Sequence, residues 1–191
     1  MKTMASMTKA EHFVPPPIGS TFTTVQHSTG SFGSGDVQLQ FTRGERMWEG
    51  RQVITFTSLR GTLVIAPDGA WLAILGAGDK PVMRWDPPIN LDWPLVVGKT
   101  WISSYRVIDA ADRSIPVIST WKIEAYEDVS VPAGTYKAFK VVYSDTTGTK
   151  DTSWFSFELG IWVMQSIKRA ASSPMGAGTQ EAEVVSQTIR K

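Results

Sequence analysis

Val37, Leu39 and Phe41 alternate with Gln38, Gln40 and Thr42. Successive side chains of a strand point to opposite faces, so this period of two describes a strand with one buried and one wet face. The same signal recurs along the chain, and nowhere does a 3.6-residue apolar stripe run longer than two helical turns. That pairing of a present period and an absent one constrains the fold most. The segments between the alternating runs are short and rich in turn residues. VITFTSL and TLVIA flank Arg60 and Gly61, and TLVIA and WLAIL flank Pro67, Asp68 and Gly69. In the second turn proline presets φ, aspartate bonds back to the backbone and glycine takes positive φ.

Further runs read as strands: WISSYRVID, IPVISTWKIEAYEDV, YKAFKVVYS, TSWFSFE and IWVMQSIKR. EAEVVSQTIR reads as a last, closing strand or a short helix, and the proline-rich KPVMRWDPPINLDWP as a connector. About eleven strand candidates result, at the spacing of sandwiches and barrels. Short links imply antiparallel pairing, because parallel strands need long crossovers. The predicted fold is all-β: a strongly curved antiparallel sheet forming an open or closed meander barrel, with a two-sheet β-sandwich as the alternative. Residues 1–13 are set apart as a disordered or appended lead, and residues 14–191 as a single β domain.

Composition narrows the function classes. Nineteen basic residues face eighteen acidic ones, a net charge of +1, which leaves no long-range field to draw in nucleic acid or an anionic membrane. Cysteine is absent, which excludes disulfides, thiolate metal sites and a cysteine nucleophile. The two histidines, His12 and His27, have no metal-site spacing, so no metal and no cofactor is expected. The GSFGSG stretch lacks the lysine of a phosphate loop and precedes a strand. No apolar run reaches the roughly 18 residues of a membrane span. Glu124, Glu127, Asp128, Asp109, Asp112 and Glu158 are the carboxylates considered for glycoside cleavage, which needs two. Their positions in turns and on wet strand faces favour solvated acids.

Four motifs stand in order: PIGSTF at 17–22, GKTW at 98–101, EDVSVPAGTYKAFK at 127–140 and WFSFELGIWV at 154–163. Together they resemble an uncharacterised bacterial family of exported, often lipid-anchored, β domains of unknown function. Members usually carry a proline where Ser156 or Phe157 stands here. The resemblance implies a β architecture and a periplasmic or outer-membrane-associated location, the export signal being absent from this chain; the cytoplasm is the alternative. It transfers no catalytic residue. Read physically, Pro132 and Gly134 reverse the chain into the strand that follows. Gly160 suits a hairpin, with Glu158 placed to accept backbone N–H bonds across it.

The unusual feature is aromatic. Eight tryptophans occur, and Trp85 and Trp93 bracket the proline-rich stretch. Three readings follow: rings that fill a barrel core, rings around an apolar cavity, or a surface platform for sugars. The cavity reading names Trp85, Trp93, Trp101, Trp121, Trp154 and Trp162 as ligand-binding candidates. It makes the protein a non-catalytic envelope protein that binds an apolar or amphipathic ligand in a concave sheet. Its partner is then a lipid or other apolar small molecule. The alternatives are an interaction module with an envelope protein partner, and a carboxylate-dependent hydrolase.

Overall fold

In a computed structural model that describes residues 8–190, the alternating runs form fourteen strands. In chain order these are β1 (Lys9–Ala10), β2 (Thr21–Gly30), β3 (Gly35–Trp48), β4 (Arg51–Ser58), β5 (Gly61–Ile65), β6 (Trp71–Leu75) and β7 (Pro81–Ile89). Then come β8 (Leu95–Val96), β9 (Thr100–Asp109), β10 (Ser114–Val131), β11 (Gly134–Asp145), β12 (Thr149–Ser156), β13 (Ile161–Arg169) and β14 (Gly178–Gln187). One short 3₁₀ turn, Ala77–Asp79, joins β6 to β7. Twelve strands close into an antiparallel barrel in the order β10-β11-β12-β13-β14-β2-β3-β4-β5-β6-β7-β9. Nearly every neighbour in space is a neighbour in sequence, as short turns require. The meander barrel is therefore the architecture, closed, and not the sandwich. EAEVVSQ, the larger part of EAEVVSQTIR, belongs to the closing strand β14, which pairs with β2 from Gly178↔Gly30 to Gln187↔Phe22.

The proline-rich stretch is not a connector: it contains β7. Pairing with β9 runs from Met83↔Asp109 to Asp86↔Arg106 and stops at Pro87. On the other side β7 meets β6 at Arg84↔Ala73 and again at Ile89↔Trp71, skipping both prolines. Proline has no N–H for the ladder, and at Pro87 and Pro88 the pairing on both sides is interrupted.

Of the lead set apart in the sequence, residues 1–7 lie outside the described residues. Beyond them, Lys9 and Ala10 pair with Val96 and Leu95 in a separate two-stranded ribbon. Ala10 is buried, and Phe13 packs between Trp93 and Phe155. The ordered β structure thus begins ahead of the boundary drawn at residue 13.

The turn before β13 is fixed by a close approach. Gly160 has φ +73°, and a Cβ there would lie 2.3 Å from the Val14 carbonyl oxygen and 3.1 Å from Pro16 Cδ. The segment leading out of β1 therefore passes directly against this turn. The bond across the turn comes from the Gly160 N–H to the Ser156 carbonyl, 2.8 Å, with Ser156 Oγ accepting from Leu159 N; Ser156 fills the role expected of Glu158. Gly160→Ala is expected to destabilise by roughly 3 kcal/mol, combining left-handed strain with a backbone collision. Gly33→Ala, at φ +100° with open space around it, should cost about 1 kcal/mol. Urea denaturation of both variants checks this, and equal losses would mean that the Val14 contact is immaterial.

Candidate functional site

The barrel holds a cavity of about 320 Å³, lined by side chains from opposite walls, including Phe56 on β4 and Tyr143 on β11. It is the lumen. One wall is apolar. Phe22, Phe41, Phe56, Leu63, Ile65, Trp71, Met83 and Trp85 reach it from β2 to β7, and Val107, Ile115 and Val117 from β9 and β10. Phe22 stacks on Phe41 at 5.1 Å and meets Phe56 edge-on at 5.8 Å; Trp71 and Trp85 make an edge contact at 5.6 Å. Such offset and edge contacts suit the ring quadrupoles and hold the rings in place.

The opposite wall is mixed: Val141, Phe155, Ile161, Trp162 and Ile167 line it together with a polar set whose placement strand register explains. On β12 the alternate residues Thr149, Asp151 and Ser153 all line the lumen. Asp151 lies between Tyr143 and Ile167, and Ser153 between Val141 and Gln165. The second row continues from Gln165 through Ala182 to Gln26. A register shift in β13 opposite Trp154 and Phe155 changes the alternation, so that Trp162 and Gln165, three residues apart, both reach the lumen.

Charge on this wall is concentrated near the loops that follow β2, β11 and β13. Asp145 Oδ1 accepts from Thr147 N at 2.8 Å, Thr147 Oγ1 at 2.7 Å and Thr149 N at 3.0 Å, while Oδ2 accepts from Tyr143. Because the Tyr143 proton goes to Asp145, the 2.7 Å bond between Tyr143 and Tyr105 is donated by Tyr105. Burial raises both phenols above the usual tyrosine range, so both stay neutral. Arg169 lies with its guanidinium carbon 3.9 Å from the Phe32 ring centre, donates from Nη1 to Ser31 Oγ at 3.2 Å, and leaves Nε buried without a partner. Burial lowers its pKa, and the charge on Asp145 opposes that fall. Asp151 differs. Its partner is Ser153 Oγ, no cation among the described residues lies within ion-pair distance, and burial pushes its carboxyl up to about 6.

Loop and connecting residues contribute to the lumen lining at both ends: Phe32, Pro174 and Met175 near Arg169, and Phe13, Leu91 and Trp93 near Phe155.

Of the six tryptophans named from sequence, Trp85, Trp93, Trp121 and Trp162 line the cavity. Trp101 stands behind Trp121, stacked at 5.6 Å and 6°. Trp154 takes another direction: its Nε1 donates to Glu127 Oε1 at 2.8 Å and Lys140 lies over its ring. None of Glu124, Glu127, Asp128, Asp109, Asp112 and Glu158 lines the cavity; Glu124 pairs with Lys140 at 2.6 Å, and Asp109 caps a turn through Ala111 and Arg113. The acids that do line it, Asp145 and Asp151, were missed. Their signal was the alternation of Thr149, Asp151 and Ser153, with Lys150 in the opposite phase.

No family model and no curated protein matches this sequence. The fold, in contrast, has solved counterparts. A Bacteroides fragilis protein described as exported and as having a YmcC-like fold superimposes with a TM-score of 0.51 at 12% identity, covering 94% of this chain and all of its own. The two chains share a fold. The hypothetical lipoprotein YmcC from Escherichia coli aligns at a TM-score of 0.48 and 13% identity, over 88% of each chain. A Parabacteroides distasonis protein described as a lipoprotein aligns at 0.45 and 9%, over 94% of this chain and 99% of its own. Among the described residues no helix is long and apolar enough to cross a membrane.

Proposed function

We propose that this protein is a non-catalytic, envelope-located barrel that holds an amphipathic small molecule in its lumen. The observation that carries this reading is a mostly apolar, aromatic-rich barrel space into which Gln26, Asp151, Ser153 and Gln165 nevertheless point. A core that existed only for stability has no use for Asp151, Ser153, Gln165 and Gln26 pointing inward, since burying polar groups costs free energy that a ligand's own polar atoms offset. The volume lies at the small end of the roughly 300–1,000 Å³ range of ligand pockets, suiting a single chain or a compact ring system. The non-catalytic reading is supported by the placement of Glu124, Glu127, Asp128, Asp109, Asp112 and Glu158, the carboxylates weighed for hydrolysis, outside the cavity lining. An envelope location is supported by the description of the Bacteroides fragilis protein that shares the fold.

Native mass spectrometry of protein purified without detergent, followed by solvent extraction, tests the proposal. One stoichiometric amphiphile is the expected result. An apo mass, combined with no quenching of the lumen tryptophans by added decanol, overturns it. The assignment then passes to an interaction module, for which the exposed Ile102 and Ile118 on the outer face of β9 and β10 are the candidate contacts.

A further inference from the structure

Within the lumen the charges are unequal, and the imbalance identifies the head group. Arg169 faces a counter-charge in Asp145 and stacks on Phe32. Asp145 is saturated by Tyr143, Thr147 and Thr149. Asp151 is the group left over. It lines the same cavity from near the start of β12, with Ile167 and Tyr143 as cross-strand neighbours. Tyr143 cannot serve it, because its one proton is given to Asp145. Ser153 supplies a single hydrogen bond, against roughly four acceptor sites on a carboxylate.

We infer that the lumen selects amphiphiles with a cationic, hydrogen-bond-donating head, a primary amine above all, and that Asp151 is the carboxylate that receives it. This deepens the reading of the lumen as a binding site and rests on it. An ammonium brings three donors and the missing positive charge, and the exchange is favourable because a charge-assisted bond in a space of low polarity is about twice as strong as a neutral one. The apolar body then lies along Phe22, Phe41 and Phe56. An anionic head is disfavoured: it would set a second negative charge beside Asp151 in a confined space.

Decylamine, decanol and decanoate share one apolar chain and differ only in the head. Their dissociation constants at pH 7.5, read from lumen tryptophan fluorescence, are compared for the unmodified protein and for Asp151→Asn. Decylamine is expected to bind about tenfold more tightly than decanol, with decanoate the weakest. In Asp151→Asn the amine advantage should vanish while decanol affinity changes less than about twofold. Decanoate binding as tightly as decylamine would assign the head to Arg169 and overturn the inference, as would an amine advantage that survives in the variant. Decanol bound with no head-group preference defeats the head-group inference alone; none of the three bound defeats the lumen reading with it. The comparison of three heads on the unmodified protein stands even if the variant folds poorly.

Discussion

Phe139→Ala is expected to lower the unfolding free energy by about 4 kcal/mol. Phe139 is fully buried on β11, between Tyr126 and Phe155 in register. Its ring lies 4.7 Å from that of Tyr126 and 6.0 Å from that of Phe157. It belongs to the cluster of Ala10, Leu95, Ile123, Val141 and Phe155, against which Phe13, Trp93 and Trp162 pack. Truncation removes a large apolar side chain and leaves a void among elements held by their own pairing: β10 and β12 on either side, and the β1–β8 ribbon beyond. Sheet neighbours with fixed registers collapse poorly into a void, which places the loss in the upper part of the range for phenylalanine truncation. Val141→Ala, on the same strand and equally buried, removes far less volume and should cost about 1.5 kcal/mol. Urea denaturation gives both values. A loss below about 2 kcal/mol for Phe139→Ala would mean that this end of the barrel relaxes and the ribbon is only loosely docked.

Strand existence was legible because water marks it. Gln38, Gln40 and Thr42 face out while Leu39 faces in, and that contrast survives in sequence. Closure was legible as one of two outcomes, and β14 with its β2 partner decides it. Strand β7 was hidden by Pro87 and Pro88, which suggest a connector; only the pairings of Met83 to Asp86 and of Ile89 show the prolines placed where the ladder breaks. Four of the six tryptophans named from sequence line the lumen, Trp71 lines it without having been named, and neither composition nor position along the chain tells an inward ring from the outward Trp154. The polar residues of the lumen were illegible for a physical reason. Alternation identifies two faces, and the rule that the apolar face is buried then says which is inside. On β12 the rule inverts: Asp151 and Ser153 face the lumen while Trp154 and Lys150 occupy the other face. A strand that encloses a partly polar interior carries the same period as one that covers an apolar core, and only the partners across the ladder separate them.

The inversion has a consequence for stability as well as for binding. Asp151→Asn is expected to make the ligand-free protein more stable at pH 8 by about 3 kcal/mol, and to leave it nearly unchanged near pH 3. The folded protein holds the Asp151 proton up to about pH 6, against an ordinary value of 3.8, and the cause is burial, opposed only in part by Ser153. Below pH 3.8 the carboxyl is protonated in both states and contributes no penalty. Between about pH 4 and 6 the unfolded chain ionises while the folded one resists, so stability falls as pH rises; above that window the full penalty remains. The neighbouring groups do not reverse the sign. Tyr143 is neutral, Ile167 is apolar, Thr149 is uncharged, and the Arg169 charge is directed at Asp145. Urea denaturation of both proteins from pH 3 to 8 isolates the effect in their difference, and a difference that does not vary with pH would show that Asp151 is solvated. An ammonium bound at Asp151 would supply the counter-charge that the fold omits. Saturating decylamine should therefore shrink or reverse the advantage of Asp151→Asn at pH 8, because a ligand that binds only the folded state adds its own free energy of binding to stability. On this argument the carboxylate destabilises the empty barrel and favours the filled one, which is the balance expected of a residue whose role is to receive a ligand rather than to hold the fold together.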